Sequence, residues 1–516
     1  MSLRPILPVS LQITGIDRYR IRTQNCTKQG NKVVHGFKVR RKEELPSSDF
    51  LMVFSTYRGY ARHHSPMQVA ALIPFLILFL GFAGLRLPLT YASFYAMLSG
   101  TLLTGTLFRA DAAVWSRATQ KTIILTFEIG FILIGAFFFL EMARKSGVID
   151  SLARLVRAIT PNRVVQGILV SFPLALMVEG SSGFGTPTLV IAPILMALHF
   201  ELKWCALLPF LSCVVGIPYG ALGTPTRLGF PDASPAHEIF LHLVPLMVIA
   251  PLISARLIAG RWQLKELLWT LSLSGVYIGS GVFISQTGPE LSALGPAFVT
   301  FVYGLWSARQ LFGDSSQTDL EWKGLSVYGL LLICMWAGKS IWMDRRFEGS
   351  EIRIFNPGMV FILFGLLMIP TVKRLHSLRA IVLETAIRSR KTLFVFFCTT
   401  FLVQQLRVNG SLEVLTGSLP SFWLREGAPV IGFLGSIFVG TSTMSNLLLS
   451  KVVEPAHFAA LAAGSAVGVP LAFQSIVAVR SILHDQIGEK EAYLRVGPIG
   501  IGFLIVVLLG AFGIRV

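Results

Sequence analysis

One carboxylate stands beside a run of helix-breaking residues in the middle of an apolar stretch. The run extends from Glu179 to Pro187, Glu-Gly-Ser-Ser-Gly-Phe-Gly-Thr-Pro, with apolar segments on both sides. A charge at membrane depth costs about 2.5–3.5 kcal/mol, and broken helical backbone there leaves amide groups without partners. Both are tolerated where they line a polar cavity. A helix interrupted by Gly and Pro is the sequence feature that best indicates the binding site of a transporter.

Glu179 is the residue best suited to carry a proton. Apolar surroundings disfavour the charged form of a carboxylate, so such a group exchanges a proton near neutral pH. The alternative is a structural role, in which Glu179 caps the broken helix. Gly183, Gly185 and Thr186 form the rest of this loop, where free amides at the start of the next helix would attract a carboxylate. The alternative for the loop is a tight kink that only lets helices pack.

Three further polar interruptions lie in apolar parts of the chain. The stretch 216–227 contains Thr224 and Arg227, and Arg227 either pairs with an anionic substrate or extends to the membrane interface. The stretch 440–446 and a later polar notch supply side chains that would bind a carboxylate or hydroxyl group: Ser442, Thr443, Ser445, Asn446, Gln474 and Ser475. Hydroxyl groups at membrane depth also bond the backbone of their own helix, which is the alternative interpretation.

The elements that position these residues are membrane helices. The chain of 516 residues is 53% hydrophobic and 14% charged, whereas a soluble protein has about 25% charged residues. Apolar runs of transmembrane length recur, which predicts an all-α polytopic membrane protein with about twelve to fourteen spans. Two broken helices in comparable halves, about 67–309 and 324–516, suggest an inverted repeat. Segments 149–160 and 375–388 are amphipathic, as expected of helices lying in the membrane interface.

The net charge of +18 does not indicate nucleic-acid binding. Lys and Arg collect at helix ends, where they contact lipid headgroups and set topology. Residues 1–66 form a basic extension, either a tail that touches anionic lipid or, as we favour, a disordered extension or a misassigned start before Met67. The integral transporter domain is therefore predicted to be 67–516. The orientation of the N-terminus and the formation of a homo-oligomer stay open.

Signatures of enzymes and bound cofactors are not found in the sequence. No Walker A loop, nucleophile elbow or dinucleotide-binding glycine pattern occurs, and His237-Glu238 has Leu241 where a zinc-protease helix needs histidine. The five cysteines lack metal-ligand spacing. We therefore expect no enzyme activity, no cofactor and no metal site. An intramembrane enzyme that uses Glu179 and His242 is the alternative of another class, and a channel is a further one.

With these residues in view, the chain resembles the bacterial L-lactate permease family of secondary transporters over about 67–516. The segment 179–187 looks like the Glu-Gly-Ala-Ala-Gly-Phe-Gly-Thr-Pro signature of that family, 219–225 like its Phe-Gly-Ala-X-Gly-Thr-Pro segment, and 440–446 like its Gly-Ser-X-Thr-X-Ser-Asn segment. Met444 stands where the family usually has Asn, and Arg227 where apolar residues are common. These departures bear on the identity of the substrate.

The resemblance implies proton-coupled uptake of lactate, and often glycolate, across the bacterial inner membrane. It also implies inverted repeats with paired hairpins, a first substrate loop at Glu179, Gly183, Gly185 and Thr186, and a second at Ser442, Thr443, Ser445 and Asn446. The prediction is a multi-pass symporter for protons and a small 2-hydroxy monocarboxylate. The alternative within the same class is a carrier for another small organic anion, with sodium open as the coupling ion. Uptake that needs sodium but survives a proton ionophore would select it.

Overall fold

The structure is a computed structural model that divides into two compact units, Met1–Pro66 and Met67–Val516. It describes residues 19–21, 39–41, 70, 73–78, 80–81, 85, 87–183, 186–230, 235–313, 321–342, 356–371, 375–408, 420–450, 452–472, 475 and 489–513. In the first unit, strands β1 (Tyr19–Ile21) and β2 (Val39–Arg41) pair in antiparallel register, with Arg20 opposite Arg40.

The second unit is built from helices. In chain order the α-helices are α1 Leu89–Thr106, α2 Ala112–Lys145, α3 Val148–Ile159, α4 Arg163–Leu169, α5 Ala175–Ser182, α6 Thr186–Ala197, α7 Leu202–Cys213, α8 Gly220–Gly229, α9 Ala236–Ala259, α10 Leu264–Ser285, α11 Leu294–Phe312, α12 Lys323–Trp342, α13 Pro357–Leu367, α14 Leu375–Val408, α15 Ser421–Leu424, α16 Ala428–Val439, α17 Ser442–Leu449, α18 Phe458–Gly468 and α19 Glu489–Gly513. A π-helical turn, Val170–Leu174, joins α4 to α5, and short 3₁₀ turns occupy Ile217–Tyr219, Ile369–Thr371, Pro455–His457 and Val469–Leu471.

Several helices are long and apolar enough to cross a membrane. Among the described residues there are four: Ala112–Lys145, Arg163–Ser181, Ala236–Ala259 and Leu264–Ser285. Helix α7 and the following segment Ile217–Gly229 make a fifth if the pair, bent by 69°, is counted as one span. Large apolar side chains such as Phe283 and Trp336 lie on the outside, as a surface facing lipid requires. The chain is thus a multi-pass helical membrane protein, and twelve to fourteen spans stays a prediction.

The span Arg163–Ser181 runs through the interior of the second unit, and from Val164 onward its described side chains are buried within the protein. Asn162 begins it by accepting hydrogen bonds from the amides of Val164 and Val165. Pro173 lacks an amide hydrogen, and the helix accommodates it with the wider π-helical turn. Protein therefore surrounds this helix on all sides, so a polar group at its end meets other residues of the chain and not lipid.

Of the two predicted amphipathic segments, one differs in extent from its predicted form. The amphipathic segment predicted for the membrane interface at 375–388 is the first part of α14, a continuous helix of 34 residues. No Pro or Gly occurs between 375 and 408, so nothing in the chain ends the helix before the apolar part begins. The amphipathic segment predicted at 149–160 is helix α3, which buries Leu152, Leu155 and Val156 on one face.

Candidate functional site

The first predicted break begins where α5 ends. Gly183 ends this helix with φ 57° and ψ −158°, a conformation that a residue with a side chain rarely adopts. Its amide donates to the carbonyl of Glu179 at 2.8 Å, and the next helix, α6, begins at Thr186. The helix thus breaks at Gly183, within the run 179–187 where the sequence predicted an interruption. Gly185 lies outside the described residues, and for Thr186 only its backbone position at the start of α6 is described.

Glu179 lies one helical turn before that break and is 4% exposed. Its carboxylate faces the interrupted segment 216–229, called the middle segment below. A Cβ at Gly220 would lie 2.5 Å from Glu179 Oε1, and one at Gly216 would lie 3.3 Å from Glu179 Cγ. A Cβ at Gly183 would lie 2.8 Å from the amide nitrogen of Ala221. The first break and the middle segment are therefore in direct contact, and small residues on both sides make this contact possible.

The middle segment has an unusual backbone. Ala221 (φ 45°), Leu222 (φ 55°) and Gly223 (φ 74°) are three consecutive left-handed residues. This conformation costs a residue other than glycine roughly 1–2 kcal/mol. Two hydroxyl groups stabilise the turn, since Thr224 Oγ1 donates to the carbonyl of Ala221 at 2.6 Å and Thr226 Oγ1 to that of Pro218 at 2.7 Å. Thr224 thus bonds the backbone of its own segment.

Arg227 lies in a buried cluster of charged groups. Its Nη2 donates to Glu128 Oε1 at 2.8 Å, and its Nε lies 3.4 Å from Glu290 Oε1. The side chains of Arg227 and Glu290 are 7% and 8% exposed, and that of Glu128 is 23% exposed. Arg227 is therefore paired with protein carboxylates and does not extend to the membrane interface. Neither Glu128 nor Glu290 is among the site residues predicted from the sequence, and Glu290 lies in the turn between α10 and α11.

The second predicted break lies between α16 and α17. Gly440 ends α16 with φ 88°, and Thr441 Oγ1 accepts from the amide of Met444 to begin α17. Four polar residues of α17, Ser442, Thr443, Ser445 and Asn446, are all buried. Both predicted breaks thus share one local design, a helix that stops at a glycine with positive φ and a second that starts within three residues.

Asn446 connects this second break to the middle segment. Its Nδ2 donates to the carbonyl of Pro225 at 3.3 Å and to Ser442 Oγ at 3.4 Å, and a Cβ at Gly229 would lie 2.5 Å from Asn446 Cβ. The Oδ1 of Asn446 is buried without a hydrogen-bond partner among the described residues. Such an acceptor is costly unless a ligand or water meets it.

Other hydroxyl groups near the second break bond within the protein. Ser465 Oγ, which the sequence did not single out, donates to Ser442 Oγ at 3.0 Å. Ser445 Oγ donates to the carbonyl of Gly432 at 3.2 Å. Ser475 Oγ donates to the carbonyl of Val469 at 2.7 Å, and no contact joins Ser475 to the other candidates within the described ranges. Gln474 lies outside the described residues.

The predicted site residues therefore gather around the segment 216–229. Glu179 and Gly183 contact its first part, and Asn446 contacts its last part. Buried hydroxyls, an amide, a carboxylate and left-handed backbone suit the binding of a small polar solute. Among the described residues, no group of three or more His, Cys, Asp or Glu is arranged to hold a metal ion.

Comparison with known proteins identifies a family to which the chain is similar. The family described as L-lactate permease matches residues 67–327. The L-lactate permease of Bacillus subtilis is 25% identical over 472 residues, which cover 74% of this chain and 82% of that protein. The glycolate permease GlcA of Escherichia coli is 26% identical over 243 residues, 45% of this chain and 43% of that protein. The YdaH transporter of Alcanivorax borkumensis has a TM-score of 0.44 at 13% identity, covering 81% of this chain and 97% of that one.

Proposed function

Because the chain belongs to the L-lactate permease family, we propose that it is a proton-coupled symporter of L-lactate and glycolate in the bacterial inner membrane. The relatives are named for lactate and glycolate, two small 2-hydroxy monocarboxylates. The observation that best supports symport is the contact between the buried Glu179 carboxylate and Gly220 in the middle segment. A proton on Glu179 would neutralise a carboxylate that stands beside the path of an anion.

The substrate-binding groups in this proposal come from both breaks. Backbone amides at the start of α6, which begins at Thr186, bind the carboxylate of the substrate, while Gly183 ends the preceding helix and Gly185 stays a predicted member of this loop. The unpartnered Oδ1 of Asn446 accepts a hydrogen bond from the 2-hydroxyl group, and Ser442 and Thr443 flank it. A substrate held in this way would contact elements from both halves of the chain.

In this proposal, Glu179 couples the binding of the substrate anion to the binding of a proton. Repulsion between two carboxylates in a site of low dielectric constant disfavours anion binding while Glu179 is ionised. Protonation removes the repulsion, so anion and proton bind together and leave together. The breaks of the two halves have the same design, which supports an inverted repeat and alternating access by one bundle moving past the other.

Transport by reconstituted protein tests this proposal. Purified protein in proteoliposomes is given labelled L-lactate with and without an inward proton gradient, as wild type, Glu179→Gln and the exposed control Glu321→Gln. For one proton per lactate, one unit of pH gradient is worth about 1.36 kcal/mol and drives about tenfold accumulation. We expect this accumulation in the wild type and in the control.

Glu179→Gln is expected to lose accumulation and to keep exchange. The amide has the shape of the protonated carboxyl group but cannot release a proton, so labelled lactate still enters vesicles loaded with unlabelled lactate. Full gradient-driven accumulation by Glu179→Gln would show that the proton binds elsewhere. Accumulation of another anion by the wild type, with none of lactate, would refute the substrate. Accumulation that needs a sodium gradient and survives a proton ionophore would refute proton coupling.

A further inference from the structure

We propose that Arg227, Glu128 and Glu290 form an ion-paired anchor that positions the middle segment 216–229, and that Arg227 supports transport without contacting the substrate. The inference rests on the proposed function, since it assigns a role within the same transport site. Arg227 is the positively charged residue of that segment, and a guanidinium group would otherwise be the natural partner of a carboxylate substrate.

The geometry of the helical turn after Gly223 separates Arg227 from the candidate substrate groups. Pro225 and Gly229 are four residues apart, so they lie on one face of the turn, and both contact Asn446. Arg227 is two residues from each and is therefore rotated by roughly 200° from Pro225. Its side chain extends to Glu128 of α2 and to Glu290, on the side away from Asn446. One small substrate does not reach both sides of the turn.

The two carboxylates also connect the segment to different parts of the protein. Glu128 belongs to the long helix α2, and its carbonyl accepts a hydrogen bond from Asn356 Nδ2 at 2.9 Å, just before α13. Glu290 follows Pro289, whose carbonyl carbon would lie 2.6 Å from a Cβ at the left-handed Gly223. The ion pairs of Arg227 with Glu128 and Glu290 therefore fix the position of the strained turn between Glu179 and Asn446.

Because the cluster of Arg227, Glu128 and Glu290 is largely removed from water, its stability depends on all three side chains. A charged group taken out of water is stable only with partners, and removing one partner leaves the others uncompensated. Among the titratable side chains of the elements that pack against this segment, those with a contact to it are Glu128 on α2, Glu179 on α5 and Glu290, while α17 carries no titratable residue. Replacing all three members by neutral residues removes the attraction and the cost of desolvation together.

Neutralising Arg227 alone, and then together with both of its carboxylate partners, distinguishes an anchor from a residue that contacts the substrate. Lactate uptake and lactate affinity, the latter from stabilisation of the purified protein against heat, are measured for Arg227→Gln, for Glu290→Gln and for the triple variant Glu128→Gln/Arg227→Gln/Glu290→Gln. Arg227→Gln is expected to reduce the maximal uptake rate by at least about tenfold, because it removes the cation that Glu128 and Glu290 both contact. The triple variant is expected to regain uptake to within about threefold of wild type, with an unchanged KM, since it removes the charges of Arg227 and of both carboxylates together.

Glu290→Gln provides a test that does not depend on the triple variant folding. It keeps the shape of the side chain and leaves one carboxylate for one guanidinium. If Glu290 competed with the substrate for Arg227, its neutralisation would tighten lactate binding; an anchor predicts unchanged or weaker binding. The matched control is Arg154→Gln/Glu321→Gln, an ion pair whose side chains are 55% and 50% exposed, which is expected to change neither quantity.

The outcomes separate this inference from the proposed function. A folded triple variant whose lactate affinity is at least about tenfold weaker than wild type, or tighter binding by Glu290→Gln, would overturn the anchor. A wild type that transports another anion and shows the same rescue by the triple variant would leave the anchor standing and refute lactate as substrate.

Discussion

Substitution of Gly220 by Ala would test the contact between the first break and the middle segment directly. The backbone of Gly220 (φ −58°, ψ 150°) is one that alanine adopts without strain, so any effect comes from the added methyl group. That methyl carbon would lie 2.5 Å from Glu179 Oε1 and 3.2 Å from Gly183 Cα, whereas ordinary contact begins at 3.4 Å. The carboxylate or the segment must therefore move by about 0.9 Å, the difference between 3.4 and 2.5 Å.

This displacement is expected to affect transport more than stability. An extra methyl group in a packed interior costs about 1–3 kcal/mol, and the lower chain entropy of alanine in the unfolded state returns about 0.4–1 kcal/mol. The protein should therefore fold with a melting temperature lower by a few degrees. A shift of about 1 Å in a group that must be exactly placed reduces a rate by up to about a hundredfold. We expect Gly220→Ala to lower lactate uptake by about ten- to a hundredfold.

The assay is the initial rate of proton-driven uptake, measured with the melting temperature of the same preparation. Gly279→Ala in α10 is the matched control, because a Cβ there would have nothing within 4 Å and alanine favours a helix. The control should transport at the wild-type rate and melt at or above the wild-type temperature. Wild-type uptake by Gly220→Ala would refute the reasoning, since the contact with Glu179 would then have no role in transport.

Two further predictions concern the second break and the exposed pair. Asn446→Ala removes the unpartnered Oδ1 and leaves the carbonyl of Pro225 without its donor, so we expect a loss of about 1–3 kcal/mol in stability and a higher KM for lactate; an unchanged KM would exclude Asn446 from binding. The two hydrogen bonds from Arg154 lower the pKa of Glu321 in the folded protein. The ion pair therefore stabilises the fold at a pH above the ordinary pKa of 4.5, and this stabilisation is lost as the pH falls through the lowered pKa. Glu321→Gln should therefore lower the melting temperature slightly at neutral pH and not in strong acid; a difference that persists there would contradict this assignment.

The local features of the site could be predicted from the sequence, because they depend on residue types at short spacing. Gly183 and Gly440 stop their helices as the Gly-rich runs indicated, and the stretch that ends at Arg227 is interrupted. The partners of that stretch could not be predicted. Glu128 is 99 residues from Arg227, and Asn446 is 221 residues from Pro225. Hydrophobic periodicity gives the face and length of a helix, but packing decides which distant helix meets it.

The middle segment provides a physical route by which a proton could control an anion. Its first part contacts Glu179 through Gly220, and its last part contacts Asn446 through Gly229, with only eight residues between the two glycines. Left-handed backbone and a short helical turn leave this connection little freedom to absorb movement. A change in the charge of Glu179 must therefore alter either the contact at Gly220 or the position of the whole segment. Because ion pairs fix Arg227 on the opposite side, we expect the segment to respond by tilting about that anchor, which moves the Asn446 contact.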